Sequence, residues 1–148
     1  MTEKLMPMLR FDGSLWCNMD IALRNLDQVI SREVRSYGLS VIELYILRAL
    51  YERDGQNASE LAHEVGRAAT SFTPNLDKLQ AKGYIARHSD ERDRRAVRIH
   101  LTAYAEDQRE VLLELMQRID QRLCSLVPAG DYEAFLRVLA ALQSNELG

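Results

Sequence analysis

The densest run of chemically able side chains in this 148-residue sequence is Asp90-Glu91-Arg92-Asp93-Arg94-Arg95, and its chemistry is the recognition of charge. A guanidinium is a planar fork of donors, suited to phosphate oxygens and to the narrow, electronegative minor groove of DNA. Ser71, Asn75 and Lys78 recur at spacings of four and three, which puts them on one face of a helix. Asn can pair with adenine N6/N7 and Lys with guanine O6/N7, while Ser and the neighbouring Thr73 serve bases or phosphates. Reaction chemistry finds little. No Ser-His-Asp motif, phosphate-cradling glycine loop or HExxH is present, and His63, His88 and His100 fall on different predicted elements. Cys17 and Cys124 match neither a disulfide framework nor a zinc-binding CxxC spacing. Neither an enzyme nor a resident metal or cofactor is therefore expected.

These side chains need elements to position them. Leu15, Met19, Leu23, Leu26, Ile30 and Val34 recur at three or four residues, predicting a first helix from Ser14 that Gly38 ends. Ser40-Val41-Ile42-Glu43 reads as a capping box with Leu39 and Leu44 at staple positions, opening a second helix over about 41–52. Asn57-Ala58-Ser59-Glu60 repeats the box for a third helix over about 58–65, closed by Gly66. In the fourth, Phe72, Leu76 and Leu79 turn inward, and Pro74 implies a start no earlier than Ala68 with irregularity near Thr70. Two short helices joined by a small turn make a helix-turn-helix. The period then changes from 3.6 to 2, with Val97, Ile99 and Leu101 alternating against polar neighbours. Pairing with 84–88 makes a hairpin with a charged tip, a wing. Thr102 caps a long fifth helix running to Pro128, and Tyr132, Phe135, Leu136, Leu139 and Leu142 mark a sixth.

Net charge is −3, yet residues 67–98 hold eight Lys or Arg against four acids, a local +4 that leaves −7 on the rest. A basic insert in an acidic frame suits contact with a polyanion through one element. No apolar run approaches the roughly 18 to 20 residues of a membrane span, and no secretory signal opens the chain, so a soluble cytoplasmic protein with no membrane partner is expected. The expected organisation is one compact domain, with 1–14 as an N-terminal arm, 15–38 and 102–148 as a helical dimerisation region, and 39–101 as the nucleic-acid-binding lobe.

The run from Asp90 to Arg95, continued by Ala96-Val97-Arg98-Ile99-His100-Leu101-Thr102, resembles the wing of the multiple-antibiotic-resistance regulator (MarR) family, which reads D-x-R-D-x-R and leads through a strand into Leu-Thr. All four fixed positions match. Residues 79–87 are similar to the family's L-x-x-x-G-(aromatic or aliphatic)-(aliphatic)-x-R stretch, and Glu60-Leu61-Ala62 to its third-helix start; the likeness covers roughly 15–144. It implies a mainly α winged helix-turn-helix with a small β-hairpin wing and long dimerisation helices. It also implies a transcriptional regulator that binds a pseudo-palindromic double-stranded DNA operator as a homodimer, usually a repressor released by a small-molecule effector.

By that resemblance Arg95 enters the minor groove and Ser71, Thr73, Pro74, Asn75 and Lys78 read the major groove. Asp93 then orients a neighbouring Arg through a charge-assisted pair, and Arg92, Arg94 and Arg98 are candidates for phosphate contacts. Trp16, Asp20, Arg24, Tyr45 and Arg48 are candidates for an effector pocket. Many family members carry Arg where Pro74 stands, whereas the organic-hydroperoxide regulators share the Thr73-Pro74 pair and sense peroxide through a first-helix cysteine near the place of Cys17. Their flanking tyrosines are replaced here by Ile21 and Ser31. Two alternatives thus stand beside the main expectation: a thiol-based peroxide sensor using Cys17, and a winged-helix protein-interaction module that does not bind DNA, which would have no need of a basic wing.

Overall fold

The computed structural model describes residues 9–66, 69–93 and 95–144, with only the backbone of 69–71. Residues 1–8 of the expected arm, Arg94 and the Ser71 side chain lie outside the described residues. The chain divides into two compact units, Met1–Asp107 and Gln108–Gly148.

In the first unit a 3-10 turn, Phe11–Gly13, leads into α1, Leu15–Arg35, whose Ser14 cap accepts the Cys17 backbone N–H at 3.4 Å. Of the six apolar positions that define α1, Val34 alone is buried, and Leu15 and Leu23 are well exposed. Helix α2, Val41–Glu52, opens on the expected box: Ser40 Oγ accepts from Glu43 N–H, and Glu43 Oε1 accepts from Ser40 N–H. Its Leu44, Ile46, Leu47 and Leu50 form the centre of the core. The second box, Asn57 with Glu60, opens α3, Ala58–Val65, and Gly66 closes it in the left-handed conformation at φ 72°. Helix α4, Ala69–Ala81, buries Phe72, Leu76 and Leu79 as their spacing predicts.

Strand β1 is two residues long, Gln56–Asn57, and no pattern in the sequence announces it. It joins β2, Ile85–Ser89, and β3, Val97–Leu101, in an antiparallel sheet of order β1-β3-β2. The hairpin register pairs Ile85 with Leu101, Arg87 with Ile99 and Ser89 with Val97. Ile99 is buried, but Val97, two residues earlier on the same strand face, is exposed. Thr102 caps α5, Ala103–Asp107, by accepting the Ala105 N–H at 3.2 Å.

The expected continuous fifth helix is two helices. After α5 comes a break at Gln108, then α6, Arg109–Cys124, with Leu112, Leu115 and Ile119 buried. No Pro or Gly marks the break, so composition could not reveal it. Helix α7, Ala129–Gln143, has no buried residue, and Phe135, Leu136 and Val138 on it are exposed.

Candidate nucleic-acid interface

On α4 the inward Phe72, Leu76 and Leu79 leave Thr73, Pro74 and Lys78 exposed and Asn75 half-buried. Asn75 and Lys78 are three residues apart and share a face. Pro74 sits inside the helix rather than at its start, where it offers no N–H to the turn before it. Two ion pairs hold the helix in place. Lys82 Nζ, just after α4, lies 2.7 and 2.8 Å from the two oxygens of Glu43, whose side chain is 2% exposed. Arg87 on β2 approaches Asp77 Oδ1 at 2.8 Å through NH2, a charge contact without hydrogen-bond geometry.

The wing tip is built from two aspartates that bind backbone. Asp90 Oδ1 accepts the Arg92 N–H and Asp93 Oδ1 accepts the Arg95 N–H, each at 3.0 Å. Backbone bonds from Asp90 N to Ala96 O at 2.9 Å and from Ala96 N to Asp93 O at 3.0 Å close the loop. Asp93 therefore steadies Arg95 through its amide. Asp90 also holds a guanidinium, its Oδ2 accepting Arg98 Nε at 2.8 Å. Arg98 NH1 in turn donates to Gly55 O at 2.9 Å, so one side chain ties the wing root to the turn after α2. Gly55 has φ 75°, and a Cβ there would come within 3.0 Å of His100 Cε1. The bond from Arg92 N–H and then that from Arg98 hold the Asp90 carboxyl below the usual carboxylate range. Arg92 and Arg95 are exposed and make no ion pair among the described residues.

His88 and His100, assigned to separate elements, are brought together across the hairpin with ring centroids 5.6 Å apart. They remain a pair: among the described residues no group of three or more His, Cys, Asp or Glu could hold a metal ion. The five expected effector residues lie on α1 and α2, and three of them are committed along their own helices. Asp20 pairs with Arg24 at 3.3 Å and Arg48 with Glu52 at 3.2 Å. Trp16 is 82% exposed and Tyr45 is exposed. None of the five lines the cleft of about 610 Å³ found between α1, the start of α2 and α4. Cys17 and Cys124 are free and partly buried. Among the described residues no helix is long and apolar enough to cross a membrane.

Helices α3 and α4, close in the chain and followed by the β2–β3 hairpin on a three-stranded sheet, define a winged helix-turn-helix. In that lobe residues 39–97 match the model of the MarR family. A helix-turn-helix-type transcriptional regulator, SarZ of Staphylococcus epidermidis, is 30% identical over 86 residues, 58% of each chain. The chain thus spans a little over half the length of the curated relatives it matches. Among solved structures, the transcriptional repressor CouR bound to a 23-mer DNA duplex has a TM-score of 0.83 at 23% identity, covering 93% of this chain and 97% of that one. BpsR of Bordetella bronchiseptica, solved to explain how 6-hydroxynicotinic acid regulates its DNA binding, has a TM-score of 0.82 at 15% identity over 92% and 97%. At such identities these likenesses speak for the fold.

Proposed function

We propose that this chain is a sequence-specific DNA-binding transcriptional regulator that acts as a homodimer in the cytoplasm, a repressor released by a small-molecule effector. One observation carries the reading: exposed Arg92 and Arg95, which form no ion pair among the described residues, stand at the tip of a wing stiffened by Asp90, Asp93 and Arg98, next to a helix that offers Thr73, Asn75 and Lys78. With the tip backbone fixed beforehand, only the two side chains lose freedom on docking. An interaction module without DNA binding would have no use for them. The likeness to a repressor solved on DNA and to a regulator whose DNA binding responds to 6-hydroxynicotinic acid supports the same reading.

The dimer rests on apolar surface that one chain leaves open. Leu15, Trp16 and Leu23 on α1 and Phe135, Leu136 and Val138 on α7 are exposed, and 15–38 with 102–148 form the proposed dimerisation region. A two-fold axis through it would present two α4 helices to successive major grooves, giving half-sites about 10 base pairs apart. Selection of bound genomic fragments at two salt concentrations tests the proposal. Recovery of a pseudo-palindrome at the higher salt is the expected result, and recovery of unrelated fragments at both would remove the claim of sequence specificity.

A further inference from the structure

Carboxylates engage some cations of the first unit and leave others in the cleft. Arg24, Arg48, Lys82, Arg87 and Arg98 each sit within 3.3 Å of a carboxylate oxygen. Arg32, Arg35 and Lys78 form no ion pair among the described residues, and all three line the cleft between α1 and α4. Ser31, Ser40 and Asn75 add polar groups to the same walls, and Asp27 is the acid among the described lining residues.

We propose that this cleft seats the sugar-phosphate backbone of bound duplex DNA, with Arg32 and Arg35 of α1 neutralising phosphates beside the groove that α4 enters. The inference rests on the DNA-binding reading above and extends its footprint to the first helix. A helix lying in a major groove roughly 12 Å wide has phosphate backbone on either flank. The wing serves one flank, and the cleft lies on the α1 side of the same helix, with Asn75 and Lys78 on its wall. Its form favours a polymer. A space of about 610 Å³ that opens to solvent exceeds what one phosphate needs, and it lacks the enclosure that buries most of a small ligand. Arginine in the last turn of α1 also suits the negative helix end. That accounts for two arginines near the helix terminus but not for a wall shared with Asn75 and Lys78.

The test is fluorescence anisotropy of a labelled mixed-sequence duplex of about 30 base pairs across a KCl series, since binding to phosphates needs no particular sequence. The double variant Arg32→Ala/Arg35→Ala should flatten the slope of log K against log salt by about 0.9 for each phosphate it no longer neutralises. Affinity at the lowest salt should fall about tenfold or more, with the melting temperature unchanged. Arg32→Lys/Arg35→Lys should keep the wild-type slope, because a point charge suffices. If the alanines unfold, Arg32→Gln/Arg35→Gln, which keeps the aliphatic stems, carries the same expectation. A folded neutral variant with the wild-type slope overturns the proposal, and Arg95→Ala run alongside separates the two readings. If Arg95→Ala weakens binding while the α1 variants do not, the cleft assignment alone falls; if wild type binds no duplex, both fall. Inorganic phosphate at constant ionic strength that displaces DNA from wild type, but not from the double variant, would identify a small-anion site and would also overturn the backbone assignment.

Discussion

Arg95 and Arg98 lie three residues apart with the same charge, and their surroundings divide the work between them. Arg95 is exposed at the tip with no ion pair among the described residues, so Arg95→Ala should cost about 1 to 3 kcal/mol of specific DNA binding without lowering the melting temperature. Operator titration beside a thermal melt checks this. Arg98 is engaged by Asp90 and by the Gly55 carbonyl, so its removal should loosen the wing root. The Asp90 carboxyl is held below its usual range, so these bonds are intact above the ordinary carboxylate pKa of about 3.9 and are lost as pH falls through the lowered value. An NMR titration of Asp90 should find a midpoint below the ordinary value and a return toward it in Arg98→Ala. An unmoved midpoint would show that Arg98 is not its partner in solution. Cys17 has Ile21 and Ser31 where a peroxide sensor carries tyrosines, and nearby Asp20 is paired with Arg24. Mild hydroperoxide should therefore leave DNA binding of wild type and Cys17→Ser alike; release by wild type alone would restore the thiol-sensing alternative.

Among the elements, α4 depends on an ion pair whose two ends are unequally exposed. The Glu43 side chain is 2% exposed and that of Lys82 37%. Removing the lysine strands a buried carboxylate, whereas removing the glutamate frees an ammonium that water can reach. Lys82→Ala should therefore destabilise by about 3 kcal/mol, within the range for breaking a buried pair, measured as a shift in the urea midpoint. A change below about 1 kcal/mol would mean that Glu43 is adequately served by Ser40 alone. The capping boxes at Ser40 and Asn57 formed where their residue spacing put them, because a cap is a local bond between residues three apart. The break at Gln108 and the two-residue β1 were invisible for the opposite reason. Neither has a marker residue, and β1 exists through pairing with Ile99 and Arg98, more than forty residues away in the chain.

For the molecule as a whole, the apolar faces of α1 and α7 call for a cover. Burying such surface contributes roughly 25 cal/mol for each Å² removed from water, so a homodimer that persists at micromolar concentration is expected from sedimentation. Phe135 is 54% exposed in the single chain. Phe135→Glu would place a charge in the proposed interface and should shift the protein to monomer while leaving the helical circular dichroism unchanged. A stable wild-type monomer would remove both the interface and the two-fold operator.

What the sequence determined alone is what local rules govern: the caps, the inward stripe of α4, the change of period at the hairpin, and a charged wing tip with the family's spacing. Each depends on residues within a turn or two of one another, so pattern is enough. Tertiary structure decided how the charges are used. Asp90 holds the Arg98 guanidinium because the hairpin register and the turn at Gly55 bring Arg98 to it. His88 and His100 meet because antiparallel pairing folds the chain back on itself. Arg32 and Arg35 share a wall with Asn75 and Lys78 only once α1 and α4 border the same cleft. Proximity between residues distant in the chain depends on how helices and strands pack, and no spacing within the sequence encodes that.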